Sequence, residues 1–224
     1  MRKYSYWYSI LVGMMAFAVL MANVLSTLVA PYQLGPFSLS GGFIIFPLAY
    51  VLSDVFSEVY GYSASRKTGI MMAGMNVAMS LTFIGMYAFL GEERGAGIAV
   101  LAKNNWIIVI ASIVAGQIGD WANDVVFAFM RQKNKGWFLT RALASSVVGE
   151  TLDSLIFVFG GLVIAFGVPF KIALWTVVSQ VVCKLLVETV AFPLTAFLKK
   201  VSLKVEDADV YQPAHRYTFA GGEG

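Results

Sequence analysis

The sequence predicts an all-α integral membrane protein with six transmembrane helices. Its 224 residues are 58% hydrophobic and 13% charged, and the mean hydropathy is +0.74. Soluble domains are about 45–50% apolar and about 25% charged, so this composition excludes an ordinary soluble enzyme. The apolar runs are continuous rather than alternating, which favours helices over a barrel, because a spanning backbone must satisfy its own hydrogen bonds.

Six apolar runs give the order of the predicted helices. They cover residues 6–30, 41–60, 68–90, 105–130, 142–167 and 172–198. Each run has about the length that a helix needs to cross ~30 Å of hydrocarbon. Pro47 and Pro193 fall inside runs, where they predict kinks. We therefore expect a six-helix transmembrane domain over residues 1–198 and a polar cytoplasmic tail over residues 199–224. The first run is too long for a signal peptide, so we expect a retained helix.

Lysine and arginine are distributed unequally between the predicted loops. With the N-terminus in the cytoplasm, twelve of them lie on the inner side and three on the outer side, namely Arg94, Lys103 and Lys171. Positive residues accumulate in the cytoplasmic loops of membrane proteins. Both termini are therefore expected in the cytoplasm.

Ionisable side chains occur within the runs, where they are costly. Seven of the thirteen acidic residues lie there: Asp54, Glu58, Asp120, Asp124, Glu150, Asp153 and Glu188. Each costs at least ~2.5–3.5 kcal/mol near the bilayer centre, and such residues mark functional sites by default. With Lys184, they form pairs at i,i+3 or i,i+4 spacing, so each pair lies on one helix face.

The last three runs carry their ionisable residues at a similar depth. At 1.5 Å per residue, five of them lie roughly 10–20 Å from the cytoplasmic ends of their helices. They are Asp120, Glu150, Asp153, Lys184 and Glu188. This depth predicts a shared polar pocket inside the bundle. Alternatively, some pairs only join helices or lie near an interface, for which Asp54, Glu58 and Asp124 are the best candidates, and Lys184 neutralises Glu188.

Several chemistries lack the residues that they need. No G-x-x-x-x-G-K-[ST] motif occurs, which excludes ATP-driven pumping by this chain alone. One cysteine, Cys183, and one histidine, His215, leave no Cys- or His-rich metal site and disfavour a Ser-His nucleophile. Gly116, Asp120 and Asp124 match only the second half of a membrane phosphatidyltransferase signature. We expect no cofactor, no metal and no enzymatic activity.

One motif resembles a known family. The run 42–50 (Gly-Phe-Ile-Ile-Phe-Pro-Leu-Ala-Tyr) is followed by Asp54, by Glu58-Val59-Tyr60-Gly61 and by Arg66. This pattern resembles the bacterial queuosine-precursor transporters, which are grouped with vitamin uptake transporters. Softer matches extend the resemblance to residues 23–188; they include Asn23, Arg141, Ser145, Ser146, Gly149, Glu150, Asp153 and Ser154. The resemblance implies uptake of 7-cyano- or 7-aminomethyl-7-deazaguanine for tRNA modification across the bacterial inner membrane. It also implies six helices arranged like the substrate-binding subunits of energy-coupling-factor transporters.

A guanine-like base suits the polar residues of the runs. Its pairing edge carries an N–H and an NH₂ beside a carbonyl, and one carboxylate, Glu150 or Asp153, would accept both donors. A side-chain amide would read the carbonyl, an aromatic ring would stack on the base, and a second carboxylate would favour the cationic aminomethyl form. The expected pocket residues are Asn23, Phe46, Asp54, Glu58, Gln117, Asp120, Trp121, Glu150, Asp153, Gln180, Lys184 and Glu188.

Partners and rival functions stay open in part. We expect a small nucleobase-like molecule and the lipid bilayer as partners, and no nucleic acid; a homo-oligomer and an energy-coupling module are both compatible with the sequence. Coupling to protons through a buried acid, coupling to a separate ATPase and facilitated diffusion with metabolic trapping are also compatible. The rivals are a vitamin-importer subunit that requires an ATPase module, a lipid-modifying enzyme that uses Asp120 and Asp124, and a purely structural subunit.

Overall fold

A computed structural model describes residues 5–133 and 138–207. Within these ranges, four helical segments are long and apolar enough to cross a membrane. They are Tyr6–Leu28, Tyr62–Met130, Leu143–Phe166 and Phe170–Val205. The chain is an all-α multi-pass membrane protein, as the sequence predicts.

The first helix is followed by a short hairpin and a second, shorter helix. Helix α1 spans Tyr6–Leu28 and begins at Ser5, whose Oγ accepts a hydrogen bond from the Trp7 amide. Strands β1 (Tyr32–Leu34) and β2 (Phe37–Leu39) then pair antiparallel, a feature that the sequence does not predict. A 3₁₀ turn over Gly41–Ile44 leads into α2 (Phe46–Val55), which continues as a π turn over Phe56–Tyr60. Pro47 lies in the first turn of α2, where proline is tolerated, so it starts this helix rather than kinking it.

The longest apolar segment consists of two antiparallel helices. Helix α3 spans Tyr62–Gly95, and α4 spans Ala99–Lys133 after a 3₁₀ turn over Ala96–Ile98. Gly91 adopts φ 73° and ψ 179°, which breaks the helical path before the turn. Arg66 near the start of α3 contacts Gln117 well along α4, while Tyr87 lies beside Lys103 near the start of α4. The two helices therefore form a hairpin.

The last helices complete the bundle. Helix α5 spans Phe138–Phe157, continues through a π turn over Val158–Leu162 and ends in the short α6 (Val163–Phe166). Helix α7 runs over Phe170–Val205. It extends past residue 198, so the first residues of the expected polar tail are helical. Residues 208–224 of that tail lie outside the described ranges.

The long helices form a ring. Helix α1 packs on α2 and α3, α3 packs on α4, α4 on α5, α5 on α7, and α7 on α2. One apolar cluster, around Ile108, Val158 and Val177, lies where α4 and α7 begin. A second, around Leu11 and Phe56, lies where α1 begins and α2 ends. The polar pocket residues lie between the two apolar clusters, at the middle level of the bundle.

Candidate functional site

A pocket lies at the middle level of the bundle. It has a volume of about 960 Å³, counting its opening, and is lined by residues of α1, α2, α3, α4, α5 and α7. Seven of the twelve expected pocket residues line it: Phe46, Gln117, Asp120, Glu150, Asp153, Gln180 and Lys184.

Lys184 joins α7 to α5 at the wall of this pocket. Its side chain is buried, and its Nζ lies 2.5 Å from Oε2 of Glu150 and 2.6 Å from Oδ2 of Asp153. Lys184 therefore pairs across helices rather than with Glu188 on its own helix. Two carboxylates share one ammonium group, so this cluster has a net charge of −1 when all three groups are ionised.

Two aromatic rings of α2 lie beside Lys184. The rings of Phe46 and Tyr50 are stacked, with centroids 5.7 Å apart and an interplanar angle of 12°. Lys184 Nζ lies 5.7 Å from the Phe46 centroid and 5.3 Å from the Tyr50 centroid. These distances are within the range of a cation–π interaction. The stacked pair provides an aromatic wall next to the charged cluster.

Asp120 is a carboxylate without a polar partner in the described part of the chain. It faces the pocket from α4, and no described residue forms a hydrogen bond or an ion pair with it. Asp124, one turn further along, is buried outside the pocket and accepts a hydrogen bond of 2.9 Å from Ser57 Oγ. The two carboxylates therefore have different surroundings. Over residues 5–133 and 138–207, no group of three or more His, Cys, Asp or Glu residues is arranged to hold a metal ion.

Two side-chain amides complete the polar lining. Gln180 of α7 is 2% exposed, and its Nε2 donates to no described residue. Gln117 of α4 accepts a hydrogen bond of 2.9 Å at Oε1 from Arg66 Nη2. A buried N–H without an acceptor costs about 1–3 kcal/mol. A ligand or water that accepts a hydrogen bond from the Gln180 amide would remove this cost.

Five of the expected residues do not line the pocket. They are Asn23, Asp54, Glu58, Trp121 and Glu188. Asn23 lies behind the wall, where its Nδ2 donates to Oδ1 of the pocket residue Asn76 at 2.7 Å. Glu58 is buried and pairs with Lys199, with Nζ 2.8 Å from Oε1. Trp121 is 37% exposed, and Tyr50 rather than Trp121 accompanies Phe46 in the pocket.

Sequence reasoning missed several residues that line or support this site, and Asn76, Tyr50 and Arg66 are three of them. Asn76 is a polar residue within the apolar run 68–90, and a polar residue in such a run can be predicted to face the interior of the bundle. Tyr50 is four residues after Phe46 and so shares its helix face. Arg66 was assigned to a loop on the cytoplasmic side, but it is buried within the first turns of α3. The sequence placed the start of this helix at residue 68, after Arg66, because a charged residue beside an apolar run does not show whether the helix already includes it.

These features define a class of protein: a multi-pass helical membrane protein that contains a charged, aromatic-lined pocket within the bundle. The family model described as "Putative vitamin uptake transporter" matches residues 40–198, which is more than half of the chain. The chain belongs to this family, and the matched segment carries every pocket residue except Met15 and Val19. No curated protein and no solved structure matches the chain.

Proposed function

We propose that the protein imports a queuosine precursor of the 7-deazaguanine class, the 7-cyano or 7-aminomethyl base, across the bacterial inner membrane. The observation that carries this proposal is one pocket with a partner-free carboxylate, donor amides and a stacked aromatic pair. A 7-deazaguanine needs these three kinds of group, because its pairing edge has two adjacent donors and one acceptor on a planar ring. The proposed role is transport without catalysis.

Asp120 is the proposed acceptor for the two donors of the base. Glu150 and Asp153 are both engaged by Lys184, whereas Asp120 has no partner among the described residues. An ionised carboxylate accepts two N–H groups side by side, and charge-assisted bonds of this kind are stronger than bonds between neutral groups. This assignment replaces the earlier choice between Glu150 and Asp153.

The other pocket residues have complementary proposed roles. The Phe46–Tyr50 pair offers an aromatic surface on which the planar base packs. Gln117 or Gln180 donates to the carbonyl of the base. Three acidic residues and one lysine line the pocket, so its charge is negative when they are ionised and also suits the cationic aminomethyl substituent.

We further propose six crossings with both termini in the cytoplasm. Residues 62–130 would cross twice, because they fold into the α3–α4 hairpin. Residues 41–60 would cross as a helix with a 3₁₀ turn at one end and a π turn at the other. This arrangement agrees with the implied likeness to substrate-binding subunits of energy-coupling-factor transporters.

Uptake into proteoliposomes tests the proposal. Purified protein should accumulate labelled 7-cyano- or 7-aminomethyl-7-deazaguanine, and Asp120→Asn should lower the initial rate at least about tenfold, because one charge-assisted hydrogen bond contributes about 1.5–3 kcal/mol. Glu92→Gln is the matched control, because Glu92 is exposed and outside the pocket.

The substrate panel should also include guanine and vitamins, with and without a proton gradient. Uptake of a vitamin but of no deazaguanine would overturn the proposal. Tight binding without uptake, relieved by a co-purified ATPase module, would favour the vitamin-importer rival.

A further inference from the structure

Arg66 contacts Gln117 at two points, the side-chain oxygen and the main-chain oxygen. Its guanidinium is 1% exposed and reaches from α3 to α4. Nη2 donates to Oε1 of Gln117 at 2.9 Å, and Nη1 donates to the Gln117 main-chain oxygen at 3.2 Å. A guanidinium has donors only, so the amide atom that it contacts must be the oxygen. The orientation of the Gln117 amide is thereby fixed, with Nε2 on the side away from the guanidinium.

The amide nitrogen of Gln117 is left free for a ligand. Gln117 and Gly69 both line the pocket, and Nε2 lies 3.4 Å from the position that a Cβ on Gly69 would occupy. No residue of the described ranges accepts a hydrogen bond from this nitrogen. The pocket therefore presents an N–H donor at this wall, next to a residue without a side chain.

We infer that Arg66 is a positioning residue that keeps Gln117 a hydrogen-bond donor, so that the pocket selects heterocycles with a carbonyl at this wall over those with an amino group. The inference rests on the proposed function and names the feature of the base that the pocket reads. An amino group in that place would put two donors face to face. Neither would have a partner once the bound base has displaced the water between them, and sites built for one hydrogen-bonding pattern reject the other strongly.

7-Deazaguanine and 7-deaza-2,6-diaminopurine provide the test. The first has a carbonyl at C6 and a proton on N1, whereas the second has an amino group at C6 and no proton on the N1 that would face Asp120. Competition with labelled substrate in proteoliposomes gives the ratio of their inhibition constants, which does not depend on the amount of active protein. The unmodified protein should prefer the carbonyl base by at least about tenfold, and the part of this preference that depends on Gln117 is the part that changes in the variants below.

The Gln117→Glu variant should shift this ratio by at least about tenfold toward the amino base, because the N1 difference at Asp120 acts equally in both proteins. One carboxylate oxygen stays with Arg66, and the other turns an acceptor toward the pocket, where it suits an amino group. Gln33→Glu is the matched control, because Gln33 is exposed in β1 and outside the pocket, and its ratio should equal that of the unmodified protein.

Variants of Arg66 test the positioning itself. In the Arg66→Met variant the Gln117 amide turns freely and offers either atom, so the part of the preference that depends on Gln117 should be lost. Arg66→Lys keeps one donor and should retain part of the preference. If Arg66→Met fails to fold, Arg66→Lys and Gln117→Glu still decide the question.

The outcomes separate the two proposals. A Gln117→Glu variant that keeps the original preference, or an unmodified protein that does not distinguish the two bases, overturns the inference and leaves the proposed function standing. If the unmodified protein takes up no deazaguanine at all, the proposed function itself fails.

Discussion

Gly119 of α4 and Gly149 of α5 pack backbone against backbone. A Cβ on Gly119 would lie 2.9 Å from the main-chain oxygen of Gly149, and a Cβ on Gly149 would lie 2.8 Å from that of Gly119. Small residues let membrane helices approach this closely. Each glycine immediately precedes a pocket carboxylate, Asp120 or Glu150. The close contact therefore sets how far apart these two acidic groups lie.

We expect Gly119→Ala to lower the stability of the bundle. The added methyl group would lie 2.8 Å from Asp153 Cβ, so α4 and α5 must separate. Overpacking of this kind costs about 1–3 kcal/mol, and the melting temperature in detergent should fall by several degrees. Gly116→Ala is the control, because nothing lies within 4 Å of its Cβ position. Equal melting temperatures for the two variants would contradict the close packing.

Removal of Lys184 should destabilise the pocket through the two carboxylates that remain. Lys184→Met leaves Glu150 and Asp153 without their shared cation, and breaking a buried ion pair in this way costs about 3–5 kcal/mol. The triple variant with Glu150→Gln and Asp153→Asn should recover most of the lost stability, because no unpaired charge is left. Thermal unfolding of the three proteins checks this order. If the Lys184→Met protein were as stable as the unmodified protein, the two ion pairs would contribute nothing to stability.

The sequence predicts a multi-pass helical membrane protein, but it does not give the contacts between the helices, and the six predicted spans stand against four candidate spans in the described residues. Hydropathy located the apolar runs because transfer of apolar residues into lipid depends on composition alone. The i,i+4 spacing of Lys184 and Glu188 placed them on one face of α7, yet Lys184 reaches across to α5. Spacing gives a helix face, whereas the partner depends on how the helices are arranged in the ring.

The dependence on helix arrangement also explains which pocket residues could be predicted from the sequence. Gln117 and Gln180 were expected there because they extend acidic stripes on their helices, and both line the pocket. Trp121 directly follows Asp120 and therefore points about 100° away from it around the helix. Whether that direction met the pocket depended on the position of α3 and α5, which local sequence does not encode.

Glu206 joins the start of α1 to the residues that follow α7, and this contact predicts the local stability of the first turn of α1. Glu206 lies just after α7 and accepts hydrogen bonds from Ser5 Oγ at 2.6 Å and from Tyr60 Oη at 3.0 Å. Glu206→Ala should therefore loosen the first turn of α1, with amide hydrogen exchange there at least about tenfold faster, since hydrogen bonds to a charged group contribute about 1.5–3 kcal/mol each. Asp207→Ala is the control, because Asp207 is exposed and has no such contacts among the described residues. Unchanged exchange in the Glu206 variant would show that the link does not hold α1.

The six proposed crossings can be tested with single cysteines, because the chain has only one native cysteine, the buried Cys183. In a Cys183→Ala background, Glu92→Cys lies at the turn between α3 and α4, and Asp207→Cys lies just after α7; both positions are exposed. If residues 62–130 cross twice and the termini are cytoplasmic, a membrane-impermeant maleimide should label Glu92→Cys in spheroplasts. Asp207→Cys should react only after the membrane is opened. Labelling of both cysteines from the same side would contradict the six crossings, because the three crossings between residues 92 and 207 must place the two positions on opposite sides of the membrane.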